Sequence, residues 1–134
     1  MAGVEGVLRY PDGMASVLVH GADLLMYSRI EATLRHLGHD VSRTRSGSEP
    51  APSDLALCDV EQVDPDEALA LLRPARILGY GSHDAPQALR RARMAGFDRV
   101  VARSAIAERL PELVDELLAT APSHDPSSSG ATPR

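Results

Sequence analysis

The sequence predicts one doubly wound α/β domain built on a five-stranded parallel sheet. Three observations predict it. Short apolar runs alternate along the chain with segments that carry a helical stripe. The runs are apolar throughout rather than alternately polar, as expected of strands covered on both faces. The strongest run, Asp54-Leu55-Ala56-Leu57-Cys58-Asp59-Val60, ends on a carboxylate. That places Asp59 at the carboxyl edge of the sheet, where open α/β folds hold their functional groups.

The elements follow in order. Ser16-Val17-Leu18-Val19-His20 is the first strand, bounded by Gly21. Met26, Ile30, Leu34 and Leu37 then recur on one face of a helix that Gly38 stops. Asp40-Val41-Ser42-Arg43-Thr44 reads as an edge strand, and 42–53, with its prolines and serines, as a loop. After the central strand, Asp64 caps a helix with Pro65 at its first position and Glu67 completing a capping box. Arg73-Pro74 ends that helix early. Ala75 to Tyr80 is the fourth strand, Pro86 to Ala95 a helix stopped by Gly96, and Arg99 to Ala102 the fifth strand. Pro111 to Ala119 closes the domain, burying Leu113, Val114, Leu117 and Leu118.

Length and composition bound the function. The 134 residues suffice for one core and not for two. Residues 1–15 read as an N-terminal extension, in which Val4, Val7 and Leu8 can pack on the domain and Pro11-Asp12-Gly13 marks a turn. Residues 16–120 form the domain. Residues 121–134 are rich in Pro and Ser and nearly without large apolar side chains, so a disordered tail is expected. Aromatic residues are 3% of the chain, which leaves the core to Leu, Val, Ile and Ala. A net charge of −5 argues against a nucleic-acid partner, and the Arg90-Arg91-Arg93 cluster reads as a charged helix face. No stretch approaches the roughly 20 apolar residues of a membrane span, and the N-terminus has no signal-peptide core, so a cytoplasmic protein is expected. Cys58, the one cysteine, reads as a buried structural thiol, with a redox sensor as the other reading. His20, His36 and His39 lack metal-ligand spacing and are expected on solvated edges.

From Val17 to Leu118 the chain resembles a response-regulator receiver (CheY-like) domain. The resemblance rests on the strand ending in Asp59, on the 17–41 stretch, and on Met94-Ala95-Gly96-Phe97-Asp98-Arg99-Val100-Val101-Ala102-Arg103-Ser104. It implies a flavodoxin/CheY-like doubly wound five-stranded parallel sheet, with Asp59 as the phospho-acceptor candidate. Arg103 then stands where the family keeps a lysine, and Ser104 where it keeps a proline. Gly21 and Ala22 occupy the place of the acidic pair that holds magnesium, and neither has a side-chain oxygen. Asp23 falls one position late, toward the first helix. Gly81 stands where the family keeps a Ser or Thr, with Ser82 one residue away. Aspartates at 21 and 22 would be expected to restore metal binding on such a backbone.

These departures describe a degenerate pseudo-receiver. The expected function is a stand-alone signalling module that acts by protein–protein interaction, without Mg-dependent phosphorylation, without a cofactor and without a metal. Two alternatives stay open: a phosphorylatable atypical single-domain response regulator using Asp59, and a flavodoxin-like small-ligand-binding domain. The latter lacks a glycine-rich phosphate loop after the first strand. Enzymatic activity is not expected, since no nucleophile–base pair has a supporting motif. Asp59 also has a purely structural reading, as a strand-end carboxylate paired with Arg103 or accepting backbone N–H groups. The stretch Gly79-Tyr80-Gly81-Ser82-His83-Asp84 reads as a flexible loop with Asp84 capping the next helix. Its functional reading puts Tyr80, Ser82 and His83 in one pocket with Asp59, Arg103 and Asp23. The resemblance further implies a docking surface on the last two helices and the strand between them. Its occupant would be a kinase, another regulator or a second copy of the chain. No output domain follows Ala119, so a separate effector chain is expected.

Overall fold

Every residue of the strand Leu55–Asp59 is buried, which only a central strand covered on both sides can achieve. The computed structural model describes residues 15–44, 50 and 52–119. Its strands are β1 (Ser16–His20), β2 (Asp40–Arg43), β3 (Leu55–Asp59), β4 (Arg76–Gly81) and β5 (Arg99–Ala102). The helices are α1 (Leu24–His36), α2 (Pro65–Leu72), α3 (Pro86–Ala95) and α4 (Arg103–Ala119). All strand pairs are parallel and the order is β2-β1-β3-β4-β5. That is the doubly wound flavodoxin-like order predicted from the sequence. The expected N-terminal extension before Ala15, the tail at 121–134 and much of the 42–53 loop lie outside the described residues. Among the described residues, no helix lies between β2 and β3.

Alternation along the strands divides the core in two. Val17, Val19, Leu55, Leu57, Leu78 and Tyr80 face α1 and α4, where they pack on Ile30, Leu34, Leu113 and Val114. Leu18, Ala56, Cys58 and Ile77 face α2 and α3, against Ala68, Leu72, Leu89 and Ala92. Fully burying one such side chain contributes about 1.5–3 kcal/mol, so the aliphatic layers hold the sheet without help from the polar edge. Cys58 belongs to the second layer, as its position in an apolar run implied. Burial, and then the neighbouring Asp59, push its thiol up to about 12. The N-cap half of the expected capping box is present, with the Glu67 N–H donating to Asp64 Oδ2 at 3.1 Å. At the opposite edge of the sheet, Arg73 donates to Asp98 Oδ2 and to the Gly96 carbonyl, both at 2.8 Å.

Three local expectations are corrected. The helix expected from Pro111 is present, but a further helical segment precedes it from Arg103, the two meeting at a kink at Arg109 (φ −132°, ψ 21°). Pro111 has no N–H for the Ala107 carbonyl and sits in the first turn after the kink, where that donor is not needed. Ile106 and Leu110, four residues apart and both buried, draw the first half onto the core. Asp84 does not cap α3. The N-cap is Ala85, with no side-chain bond, and Asp84 instead donates its N–H to Ser82 Oγ at 3.0 Å. His39 is not on a solvated edge: it is 6% exposed, with no partner for Nδ1. His36 is exposed, and His20 is half-buried with Nδ1 2.8 Å from Thr44 Oγ1.

Burial lowers the imidazole pKa of both His39 and His20 below the ordinary 6.5. The unfolded chain therefore takes up protons near pH 6.5 that the native state still resists. Stability present above that pH falls as the pH drops below it, and the loss levels off below the lowered native values. Urea unfolding should show a lower midpoint at about pH 5 than at about pH 7.5, and His39→Gln should shrink that difference. An unchanged difference in the variant would mean that His39 contributes nothing to it.

Candidate functional site

The carboxyl edge of β3 ends on Asp59, and the parallel register sets Tyr80 of β4 directly beside it. Both side chains lie on the α1–α4 face of the sheet, continuing the row of Leu57 and Leu78. Asp59 is 2% exposed, and a carboxylate so enclosed needs partners for its oxygens. It has two. Arg103, the first residue of α4, donates from Nη2 to Oδ2 at 3.1 Å. The backbone N–H of Glu61 donates to Oδ1 at 2.9 Å, the i→i+2 pattern of an Asx turn. The Arg103 guanidinium also stands 5.6 Å from the centre of the Tyr80 ring, within cation–π range.

Tyr80 is fully buried, and its hydroxyl has no hydrogen-bond partner. Burial first, and Asp59 beside it second, push the phenol well above its usual range. It stays a neutral wall of the site and contributes no base.

Glu61 escaped the sequence reading. Its Oε2 accepts the Ser82 backbone N–H at 2.6 Å and lies 3.7 Å from Arg103 Nη2. It thereby ties the loop after β3 to the loop after β4. A Cβ at Gly81 would crowd Val60 Cγ2 at 2.9 Å and Leu89 Cδ2 at 3.3 Å, and would only touch Glu61 Oε2 at 3.4 Å. The one legible trace of it was a carboxylate two residues beyond Asp59 in a tight turn.

The other expected pocket residues divide. Ser82 takes part through its backbone, while its hydroxyl accepts from the Asp84 N–H. His83 turns to solvent, its side chain 82% exposed and 3.3 Å from Asp84 Oδ1, so it does not join Asp59. Asp23 caps α1, accepting the Met26 N–H at 2.7 Å, yet its charge still helps raise the Tyr80 phenol.

The residues at the expected metal position do not fit a divalent ion. Magnesium takes oxygen ligands in near-octahedral order, usually with one or two carboxylates. Gly21 and Ala22 supply no side-chain oxygen, and Asp23 Oδ1 is engaged by the helix cap. Asp59 faces Arg103, itself a cation. Among the described residues, no group of three or more His, Cys, Asp or Glu is arranged to hold a metal ion. Restoring the acidic pair would also meet an obstacle that the sequence did not disclose. Gly21 has φ +81°, and a Cβ on it would lie 2.7 Å from Val63 Cγ1. An aspartate there is strained in backbone and clashes with the loop, so substitution alone would not rebuild the site.

Arg103→Met should expose the weight of the ion pair. A charge-assisted hydrogen bond contributes about 1.5–3 kcal/mol, and the one-third exposure of Arg103 puts this one toward the lower end. Chemical denaturation of Arg103→Met, Asp59→Asn and the double variant should therefore show a coupling energy of about 1–2 kcal/mol. Strict additivity would mean that the pair is incidental.

No protein-family model matches the chain, and no curated protein does. Solved structures do. A response regulator from Thermotoga maritima superposes with a TM-score of 0.66 at 13% identity, covering 80% of this chain and 99% of its own. The non-phosphorylated HemR receiver domain from Leptospira biflexa gives 0.63 at 11% identity, over 79% and 95% of the two chains. A CheY-like receiver domain protein from Methanospirillum hungatei JF-1 gives 0.59 at 19% identity, over 78% and 97%. The fold is that of a response-regulator receiver domain. At these identities the likeness speaks for the fold alone.

Proposed function

We propose that this receiver-fold chain is a pseudo-receiver: a signalling module that works through protein–protein contacts and not through Mg-dependent phosphorylation. One observation carries the reading. Asp59, at the acceptor position, is already engaged by Arg103 and by the Glu61 N–H, while the acidic pair that would bring a metal to it is replaced by Gly21 and Ala22. Phosphoryl transfer to a carboxylate is catalysed by positioning and by neutralising charge on the transferring oxygens. Here one guanidinium faces two carboxylates, so the edge carries a net negative charge against an incoming phosphoryl donor.

The rest of the molecule supports a module that docks. Tyr80 is too strongly shifted upward and too enclosed to act as a base, and Cys58 lies inside the core. No helix among the described residues is long and apolar enough to cross a membrane. The surface for a kinase, another regulator or a second copy of this chain is assigned to α3, β5 and α4. There α3 presents the exposed Arg90 and Arg93, while the exposed Met94 borders Pro65, Asp66 and Arg91 on the side of α2. Arg91 on the same helix is paired with Asp64 at 3.2 Å.

The test is incubation with a small-molecule phosphodonor and Mg²⁺, followed by intact-mass analysis beside an Asp59→Asn control. No adduct is expected on the wild type. A phosphate adduct that disappears in the control would overturn the reading and favour a phosphorylatable regulator.

A further inference from the structure

Glu61 does more than close a turn. Its backbone is fixed by the hydrogen bond to Asp59 Oδ1, so its side chain leaves from a set point above the sheet edge. One hydrogen-bond donor and one cation from different elements approach the same carboxylate oxygen. They are the Ser82 N–H in the loop after β4, at 2.6 Å, and the Arg103 guanidinium at the start of α4, at 3.7 Å. A backbone N–H and a guanidinium aimed at one point make an oxyanion-binding arrangement. The Arg103 guanidinium already spans both carboxylates, 3.1 Å from Asp59 and 3.7 Å from Glu61.

We propose that the Glu61 carboxylate is the built-in occupant of an oxyanion site formed by the Ser82 N–H and Arg103. It locks the two loops as a bound tetrahedral anion would, and its removal opens the site to inorganic phosphate. The proposal deepens the pseudo-receiver reading, since a site filled by its own side chain needs no phosphoryl group to hold its loops. An intramolecular carboxylate tethered beside its donors competes at high effective concentration, so free phosphate does not displace it from the wild-type chain. With Glu61 truncated, the same donors face solvent and an anion can take its place.

The test is NMR on isotopically labelled full-length protein, in the absence of Mg²⁺ and of any phosphodonor. In the wild type the Ser82 amide proton should resonate far downfield and not respond to inorganic phosphate. Glu61→Ala should move it upfield, and phosphate should then return it along a saturable curve that is lost in Glu61→Ala/Arg103→Met. Glu61→Gln, which keeps the side-chain length and removes the charge, should show a smaller upfield move and weaker phosphate binding than Glu61→Ala. It also serves as the readout should the alanine variant lose its native amide dispersion. A Ser82 amide that ignores the loss of Glu61, or a Glu61→Ala protein that shows no saturable phosphate response, overturns the proposal. Because no phosphoryl donor is present, the outcome is independent of whether Asp59 can be phosphorylated, which intact mass reads separately.

Discussion

The edge of this sheet depends on how a buried carboxylate is partnered. Asp59 closes a strand with every residue buried, and leaving its charge unpaired there would be costly. Arg103 supplies the counter-charge, and its position at the junction of β5 and α4 fixes where the last helix leaves the sheet. The Tyr80 ring under the guanidinium, the Glu61 turn over the carboxylate and the Ser82 amide beyond it are all arranged around that pair. Asp59 therefore has a structural role whether or not it has a chemical one.

The aliphatic layers do not share this dependence. Residues from α1 and α4 cover one face of the sheet and residues from α2 and α3 the other, and neither layer needs the polar edge to exclude water. The architecture thus rests on residues other than those at the polar edge. Val63 packs over Gly21, and Glu61 reaches the Ser82 amide across the gap between two loops. These contacts fill the edge with the chain's own side chains. They also turn what the sequence presents as missing residues into a differently organised site.

The sheet was legible because its evidence is local and redundant. Apolar runs of strand length, helical stripes and the Asp64-Pro65 helix start each pointed to the same architecture. Pro111 was legible as a helix start, but it hid the helical segment that precedes it from Arg103. The Ile106–Leu110 spacing that holds the earlier half was present but weaker than the proline cue. Burial of His39 is a tertiary outcome that no neighbouring residue announces. The site was half legible for the same reason. Asp59 and Arg103 stand at recognisable places in the sequence, but Glu61 acquires its role only when another loop folds beside it. Ser82 contributes a backbone amide, which residue identity does not encode, and its hydroxyl turned elsewhere.

Magnesium binding tests the central claim most directly, since it asks about the site without asking about a donor or a partner. Amide chemical shifts of Gly21, Asp59, Glu61 and Ser82 should be followed while Mg²⁺ is added at constant ionic strength. The account predicts only small, linear changes at these residues, no larger than those at other exposed acidic positions such as Asp66. Saturable shifts centred on Asp59 that vanish in Asp59→Asn would contradict it.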